Sequence, residues 1–380
     1  VPATPIIFCS HVGELGGAEL VLLDLLGTLD RGQFTPHLAV PGDGPLSARA
    51  AELGTEVHAV PLAGNSKLGK ARAILRSRKA LQTLAERLDC QLLVANSMIA
   101  GYAAVLAQRP GLACVWHLHT VMRSQIARAA LRRAAAVIAP SQAGLDAAGL
   151  PNGHHISNGV PDRFFAARDP AAGKSLRTEH DIPAGASVLG IVGRLDPHKG
   201  HDVLLASLAT SWPTPAPHLV IAGGELFSEA HGRLGDYGAR LRREVTRLGL
   251  EGRVHWLGEL DDTASLLPQL DALVVPSIRA ESAPRTIAEA QAASCPVLAS
   301  AVGGIPELLR GGDAGVLVAA GSAAAITTGL QQLLGDEPSR NQQLQNGLRH
   351  ANAHYRMTTF ARRCEAVFAQ ANAVAMTAMT

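Results

Sequence analysis

Short apolar runs alternate with longer helical patterns along almost the whole chain, and this alternation constrains the fold more than any other feature. Runs such as Ile6–Ser10 and Leu92–Ala95 are apolar at successive positions and rich in aliphatic side chains. Strands that are apolar on both faces are typical of a parallel sheet covered by helices on both sides. The sequence therefore predicts an α/β protein.

The cycle of strands and helices occurs twice. Its predicted strands are Ile6–Ser10, His37–Val40, Val57–Pro61, Leu92–Ala95, Ala113–Leu118 and Val137–Ala139, then Val188–Val192, Leu219–Ala222, Val254–Leu257, Ala272–Val275, Val297–Ala299 and Val316–Val318. Because 380 residues exceed what one core normally holds, we expect two doubly wound, Rossmann-like domains, 1–165 and 186–357, connected by the turn-rich segment 166–185. Such sheets bind ligands at the carboxyl ends of their strands, which predicts two domains facing across a cleft.

Composition excludes several classes of protein. Hydrophobic residues make up 47% of the chain and charged residues 17%, which is incompatible with intrinsic disorder. A net charge of +2 provides no field that would attract nucleic acid. Five scattered cysteines without a CxxC pair argue against a disulfide framework and a zinc finger. With no apolar run of membrane-spanning length and no leader pattern at residues 1–10, we expect a soluble, cytoplasmic protein.

A glycine-rich loop, residues 13–19, follows the first predicted strand and opens a helix. Its Gly16 and Gly17 let the backbone approach a ligand closely, and a helix N-terminus favours negative charge. The spacing is not GxGxxG, so a nicotinamide cofactor is not indicated. A plain strand-to-helix turn explains the loop equally well.

The corresponding loop of the second half, residues 193–200, adds two cations to its Gly193. Arg194 and Lys199 precede a predicted helix, where the helix dipole disfavours positive charge. An anion supplied by a ligand would remove this conflict, and the pattern predicts that two phosphates bind there. The alternative is a solvated loop with two surface charges.

Two glutamates, Glu281 and Glu289, follow the predicted strand Ala272–Val275 with seven residues between them. With Ser282 as N-cap and Pro284 in the first turn, Glu281 lies just outside the helix start and Glu289 inside the helix. At about 1.5 Å per residue the two carboxylates are roughly 12 Å apart, so each can accept a hydroxyl group from one end of an extended ligand. The alternative is one acid at the helix start and one exposed helical acid.

The pair His117 and His119 closes the predicted strand Ala113–Leu118, and a helix is predicted at Val121–Ala135. Two histidines on one side of a strand end could bind a metal ion, and a metallohydrolase is therefore one alternative. No further ligands follow from spacing, since His154-His155 lies in a predicted loop after Pro151. A neutral His119 that faces a polar ligand is the simpler interpretation.

Residues 67–133 are strongly basic, with twelve lysines and arginines against Glu86 and Asp89. Arg72, Arg76 and Lys79 follow helical spacing on one face of the predicted helix Leu68–Leu88. Such a face can lie on an anionic membrane, in this case peripherally at its inner surface, or bind an anionic acceptor. A solvated helix face is the alternative.

Taken in order, these segments resemble the retaining glycosyltransferases of family 4, whose architecture of two Rossmann-like domains is called GT-B. The resemblance runs from the first strand to the tail. It rests on the Gly13–Gly17 loop, His119, the Asn158-Gly159-Val160 turn, Arg194 with Lys199, the E-x7-E pair Glu281 and Glu289, and the loop Gly303-Gly304-Ile305-Pro306-Glu307.

The resemblance implies that the second domain binds a nucleotide-diphosphate sugar, the first binds the acceptor, and a C-terminal helix at about 358–380 crosses back onto the first domain. In this family the two cations would neutralise the diphosphate, Glu281 would lie beside the sugar and Glu289 would bind the ribose. The implied catalytic residues are Arg194, Lys199, Glu281 and His119, and the implied donor-binding residues are Gly16, Gly17, Gly193, Arg285, Thr286 and Glu289.

The resemblance implies a retaining hexosyltransferase that needs no cofactor and no metal ion, in line with the missing DxD motif. We expect a lipid-linked or phosphorylated acceptor in cell-envelope or glycoconjugate biosynthesis. A nucleotide-sugar epimerase or isomerase, acting on the donor alone, is the alternative. One departure concerns the diphosphate site: the family's aromatic residue and glycine are replaced by Ala283 and Pro284, and proline lacks a backbone donor. The base, sugar, acceptor, linkage and oligomeric state do not follow from the sequence.

Overall fold

The computed structural model describes residues 3–62, 67–166, 176–225 and 237–377. The chain forms two compact units, one of Val1–Gly159 with His354–Thr380 and the other of Val160–Ala353. Parts of several predictions lie outside the described residues, namely the side chains of Lys67 and Lys70, positions 167–175 of the predicted connection and positions 378–380 of the predicted C-terminal helix.

The first unit contains a parallel sheet in the order β3-β2-β1-β4-β5-β6-β7. Its strands are β1 (Thr4–Cys9), β2 (Phe34–Val40), β3 (Glu56–Ala59), β4 (Leu92–Ala95), β5 (Ala113–His117), β6 (Ala136–Ala139) and β7 (His154–His155). The prediction of a loop at His154-His155 is wrong, because these residues pair with β6. Two residues are too few to show a periodic pattern.

Helices cover both faces of this sheet. They are α1 (Gly17–Thr28), α2 (Pro45–Glu52), α3 (Lys67–Arg87), α4 (Met98–Ala107), α5 (Gln125–Leu131), α6 (Gln142–Ala148) and, from the end of the chain, α14 (Met357–Thr377). One core joins the sheet to α1, α2 and α14, and a second core joins its other face to α3, α4, α5 and α6. The prediction of a helix over Val121–Ala135 is too long, because Ser124 is extended and the chain turns after Leu131 to enter β6.

Helix α14 belongs to the first unit through its aromatic side chains. Phe360 and Phe368 are fully buried. The Phe368 ring meets Phe8 edge to face with 5.9 Å between the centroids, and it meets Phe34 in the same way at 6.2 Å. The end of the chain therefore completes the core formed around β1.

The second unit repeats the architecture, with a parallel sheet in the order β10-β9-β8-β11-β12-β13. Its strands are β8 (Val188–Val192), β9 (His218–Ala222), β10 (Val254–Gly258), β11 (Ala272–Val275), β12 (Val297–Ser300) and β13 (Val316–Val318). Its helices are α7 (Leu176–Glu179), α8 (His201–Leu208), α9 (Tyr237–Arg247), α10 (Arg285–Ala292), α11 (Ile305–Leu308), α12 (Ala323–Gly335) and α13 (Glu337–His354). The predicted fold class, α/β with two doubly wound sheets, is confirmed.

The segment before β8 packs onto the second unit. Leu176 is buried, and its backbone N–H donates to the side chain of Gln269 at 2.8 Å. Arg177 forms an ion pair of 2.9 Å with Asp271, the residue before β11. Positions 176–185 of the predicted connection are thus part of the second unit.

Two glycines allow neighbouring loops to close on the loop that follows β11. Gly200 has φ +75°, and a Cβ there would lie 2.1 Å from the carbonyl oxygen of Pro276. Gly303 has φ +58°, and its Cβ would lie 2.0 Å from the carbonyl oxygen of Glu281. Only glycine fits both the left-handed conformation and the close approach.

Candidate functional site

The strand order of the second unit reverses between β8 and β11. Ligands of doubly wound sheets bind at such a reversal, at the carboxyl ends of the strands. Gly193, Arg194 and Lys199 follow β8, and Glu281 follows β11. Four residues predicted from separate segments therefore lie in the two loops that flank this position.

Lys199 and Glu281 form an ion pair, with 2.7 Å between Nζ and Oε2. Their side chains are 28% and 22% exposed, so the pair is only partly solvated. The buried hydroxyl of Ser277 donates to the other carboxylate oxygen, Oε1. The backbone N–H of Gly304 donates to the carbonyl oxygen of Glu281 at 2.9 Å. Both the side chain and the backbone of Glu281 are thus held in place.

This ion pair offers another explanation for a cation near a helix start, which the helix dipole disfavours. Glu281 supplies a negative charge beside Lys199, so the cation near the start of α8 does not by itself require a ligand anion. Arg194 differs, because it is exposed and no ion pair joins it to another described residue. Of the two predicted cations, Arg194 is the one left to neutralise a new anion.

Glu289 is buried and forms an ion pair with Arg285, with 2.6 Å between Nε and Oε1. The side chain of Glu289 is 8% exposed and that of Arg285 is 11% exposed. The alternative of an exposed helical acid at position 289 is therefore wrong. A carboxylate and a guanidinium on successive turns of α10 compensate each other where water is largely excluded.

Helix α10 begins later than predicted, at Arg285 with Pro284 in the N-cap position. The prediction of Ser282 as N-cap is wrong, because Pro284 has ψ 117° and leaves the chain extended up to that point. Without a capping side chain, the first amides of α10, at Arg285 and Thr286, point out of the helix start. These amides suit an anion.

The predicted histidine of the first unit lies where β4 and β5 end. Nε2 of His119 is 2.8 Å from Oδ1 of Asn96, and the rings of His119 and His117 are 4.1 Å apart. Burial lowers the pKa of His119 to about 4, so the ring is neutral at pH 7. Sequence reasoning missed Asn96, although a polar residue directly after an apolar strand was the available signal. It missed Ser277, two residues after β11, in the same way.

Helix α1 begins at Gly17 with Gly16 as its N-cap, as the glycine-rich loop predicts. Glu19 in the first turn is buried, and a Cβ on Gly16 would lie 2.9 Å from its Oε2. A carboxylate at this helix start disfavours a second anion. Contact between Gly16 or Gly17 and a diphosphate stays a prediction, and the negative charge of Glu19 disfavours it.

A different set of residues than the predicted HxH pair has metal-ligand geometry. Among the residues that the structure describes, His37, Glu56 and His58 place three possible ligand atoms within 4.8 Å of one another. Nδ1 of His37 lies 3.2 Å from Nε2 of His58, whose Nδ1 lies 3.0 Å from Arg87 Nη2. Arginine can only donate, so Nδ1 of His58 accepts and its Nε2 carries the proton. A metal ion would need a lone pair on that Nε2, so the trio fits a hydrogen-bonded chain better than a metal site.

An open groove of about 880 Å³ lies between β3 and α3. Its apolar lining includes Leu75 and Leu84, and its cations are Arg76, Lys79 and Arg87. Neither Arg76 nor Lys79 has an ion-pair partner in the part of the chain that the structure describes. We call this the α3 groove. Within the described ranges, the helices lack the length and apolar composition that a membrane span requires.

Sequence families match both units. Residues 15–163 match the family Glycosyltransferase Family 4, and residues 174–350 match the family Glycosyl transferases group 1. The chain thus combines a Glycosyltransferase Family 4 domain with a Glycosyl transferases group 1 domain.

Two solved structures are similar to this chain over nearly its whole length. Anabaena Alr3699/HepE in complex with UDP is 25% identical to this chain, with a TM-score of 0.81 over 97% of this chain and 100% of its own. Sucrose-phosphate synthase from Thermosynechococcus elongatus shares the fold at 20% identity, with a TM-score of 0.80 over 98% of this chain and all of that one, 100%.

Curated relatives match over shorter stretches. A D-inositol 3-phosphate glycosyltransferase of Corynebacterium aurimucosum is 34% identical over 58% of this chain and 51% of its own length. The lipopolysaccharide core biosynthesis mannosyltransferase LpcC of Rhizobium leguminosarum is 29% identical over 63% of this chain and 65% of its own length. The chain thus spans about half the length of the first relatives that it matches.

Proposed function

We propose that this protein transfers a hexosyl group from a nucleotide-diphosphate sugar to an acceptor hydroxyl, with retention at the sugar carbon and without a metal ion. The observation that carries the proposal is the partly buried Lys199–Glu281 pair, between the loops after β8 and β11. A UDP-sugar is the first donor to test, because Anabaena Alr3699/HepE was crystallised with UDP and with UDP-glucose.

In this proposal the second unit stabilises the leaving diphosphate. Breaking the bond between sugar and phosphate develops negative charge on the leaving oxygens, and preorganised positive charge is the largest rate contribution available. Arg194 and Lys199 would supply cations, and the amides of Arg285 and Thr286 would supply hydrogen-bond donors. The Pro284 amide is missing from this set. Glu289, held by Arg285, would accept hydrogen bonds from the ribose hydroxyls.

Retention fits attack from the face that the diphosphate leaves. A covalent route through Glu281 is less favourable, because Lys199 and Ser277 already occupy its two carboxylate oxygens. Retaining enzymes that form such an adduct usually place two carboxyl groups about 5–5.5 Å apart. Here the second nearby acid in sequence, Glu289, is paired with Arg285 instead. A trapped sugar on Glu281 would contradict this part of the proposal.

For the acceptor we propose a phosphorylated or lipid-linked alcohol of cell-envelope or glycoconjugate biosynthesis, bound by the first unit. The α3 groove supports this choice, since it combines cations with an apolar wall. The names of two relatives, a D-inositol 3-phosphate glycosyltransferase and a lipopolysaccharide core biosynthesis mannosyltransferase, agree with it. In this proposal the protein is cytoplasmic, and it contacts the inner face of an anionic membrane through Arg76 and Lys79.

Product analysis tests the proposal. Purified protein is first screened for thermal stabilisation by UDP, GDP and ADP, because a ligand at about 100 times its Kd adds about 2.7 kcal/mol of stability. The matching sugar nucleotides are then incubated with and without phosphorylated or lipid-linked alcohols, and with a chelator. We expect release of nucleoside diphosphate to depend on the acceptor and to survive chelation. Conversion of the donor without release of diphosphate would instead establish an epimerase.

A further inference from the structure

Asn96 connects three elements of the first unit at the point where its strand order reverses, between β1 and β4. Its backbone N–H donates to the carbonyl oxygen of Cys9 at the end of β1, at 2.9 Å. Its side-chain Nδ2 donates to the carbonyl oxygen of Ala18 in α1 at 3.1 Å. Its Oδ1 lies 2.8 Å from Nε2 of His119, just beyond β5. Only 1% of Asn96 is exposed, so no water competes for these contacts.

The hydrogen-bond partners assign the orientation of the Asn96 amide. A backbone carbonyl oxygen can only accept, so the NH₂ group must face Ala18. The amide oxygen therefore faces His119, and an amide oxygen also only accepts. Nε2 of His119 must then carry a hydrogen atom. In a neutral imidazole this leaves the lone pair on Nδ1.

The surroundings keep the ring of His119 neutral. Burial lowers the pKa of His119 to about 4, and burial also lowers the pKa of its titratable neighbour His117 well below the usual range. The two rings lie 4.1 Å apart, so a charge on one would disfavour a charge on the other. No described residue bonds to Nδ1 of His119. This nitrogen offers an acceptor that the protein itself leaves open.

We propose that Asn96 is a positioning residue that fixes His119 in the Nε2–H form, so that Nδ1 accepts a hydrogen bond from a substrate hydroxyl group. The inference rests on the proposed function only for the nature of the substrate. An acceptor at this place selects a hydroxyl over hydrogen at the same position, because a deoxy analogue leaves Nδ1 without a donor. It also rejects a carboxylate, whose oxygens can only accept.

The first test measures the histidine form directly and needs no substrate. Long-range ¹H–¹⁵N correlation of the labelled protein distinguishes a protonated from an unprotonated ring nitrogen, and the His119→Gln variant identifies the His119 signals. We expect Nε2 protonated and Nδ1 unprotonated, with shifts unchanged from pH about 8 to about 6, where a free histidine titrates. A proton on Nδ1, or titration near pH 6.5, would overturn the proposal.

The second test changes Asn96. In Asn96→Ala the fixed acceptor is lost, so we expect both neutral forms of His119 in the spectrum and turnover about tenfold lower, with the donor KM within about twofold. In Asn96→Asp the carboxylate should raise the pKa of His119 towards its ordinary range. Ser97→Ala is the matched control: it removes the acceptor of the His11 N–H in the same loop, at 3.3 Å, without touching the Asn96–His119 contact. Unchanged His119 signals in Asn96→Ala would contradict the positioning role.

The third test concerns selectivity, using monodeoxy analogues of whichever donor and acceptor prove active. We expect that removal of one particular hydroxyl group from the substrate lowers the kcat/KM of the wild type by at least about tenfold. The same removal should lower the kcat/KM of Asn96→Ala by a clearly smaller factor, relative to the value of that variant with the complete substrate. Equal discrimination by both proteins at every position would overturn the inference. If the wild type shows the Nε2–H form of His119 but no acceptor-dependent transfer, the proposed function is contradicted while the positioning role of Asn96 stands.

Discussion

The two units share one order for their first six strands and differ in the charges at the point where that order reverses. In the first unit this point holds a neutral pair, His119 and Asn96, next to an α1 start that carries the buried acid Glu19. In the second unit it holds the Lys199–Glu281 ion pair, and Arg194 is exposed in the same loop as Lys199. The same backbone geometry thus presents hydrogen-bonding groups in one unit and compensated charges in the other.

The comparison indicates that the doubly wound sheet determines the position of a ligand site, whereas a few loop residues determine the charge of that site. An anionic diphosphate suits the second unit, because cations and helix-start amides are already in place there. A hydroxyl-bearing substrate suits the first unit. Arg76 and Lys79, two cations of the first unit that form no ion pair with another described residue, lie elsewhere, along the α3 groove at the edge of the sheet.

The proposed difference between the two units is tested most directly by removing the cations of the second unit. We expect Lys199→Ala and Arg194→Ala each to lower turnover by about 10²–10³, the effect of deleting one donor to a developing oxyanion. Lys199→Ala should be the more severe, since it also leaves Glu281 without its ion-pair partner. Steady-state kinetics with saturating donor measures both. Arg243→Ala, an exposed arginine of α9, is the control, and near-normal turnover in either test variant would refute the role of the cations.

The glycine-rich loops of the two units differ in a second way, which can be measured as the change in the free energy of unfolding when one glycine is replaced by alanine. Gly200→Ala must adopt φ near +75° and place a Cβ against the carbonyl oxygen of Pro276, so we expect a loss of about 2–3 kcal/mol. Gly17→Ala meets no atom within 4 Å and lies in the first turn of α1, so it should gain about 0.4–1 kcal/mol. Denaturant unfolding of the two variants compares these positions. Equal effects would mean that the loop after β8 is not as tightly closed as the structure shows.

The smallest expected effect concerns the α3 groove. Removal of one surface cation near an anionic bilayer costs about 1 kcal/mol, so Arg76→Ala should weaken sedimentation with anionic vesicles about fivefold. The difference should fade as salt is raised. Arg243→Ala again serves as the control. If wild type sediments equally with neutral and anionic vesicles, the membrane part of the acceptor proposal fails while the donor chemistry stands.

Much of the fold was predictable because buried parallel strands carry a local signal. Leu92–Ala95, Val188–Val192 and Ala272–Val275 were predicted to the residue, since a short continuous apolar run marks each of them. Helix ends were less predictable. Ser282 has the composition of an N-cap, but the conformation of Pro284 decides where α10 begins.

The sequence by itself determined the α/β class and the repeat of the doubly wound pattern, because hydrophobic periodicity is a local property. It also predicted, from glycine loops and unusual charges, the residues of the diphosphate site that we propose. Only the tertiary structure decided how these residues combine. Lys199 and Glu281 are 82 positions apart, and they meet because β8 pairs with β11. Asn96 and His119 meet because β4 pairs with β5. Hydrogen bonds and ion pairs act over a few ångströms, so the partner of a side chain depends on strand order, which no local pattern records.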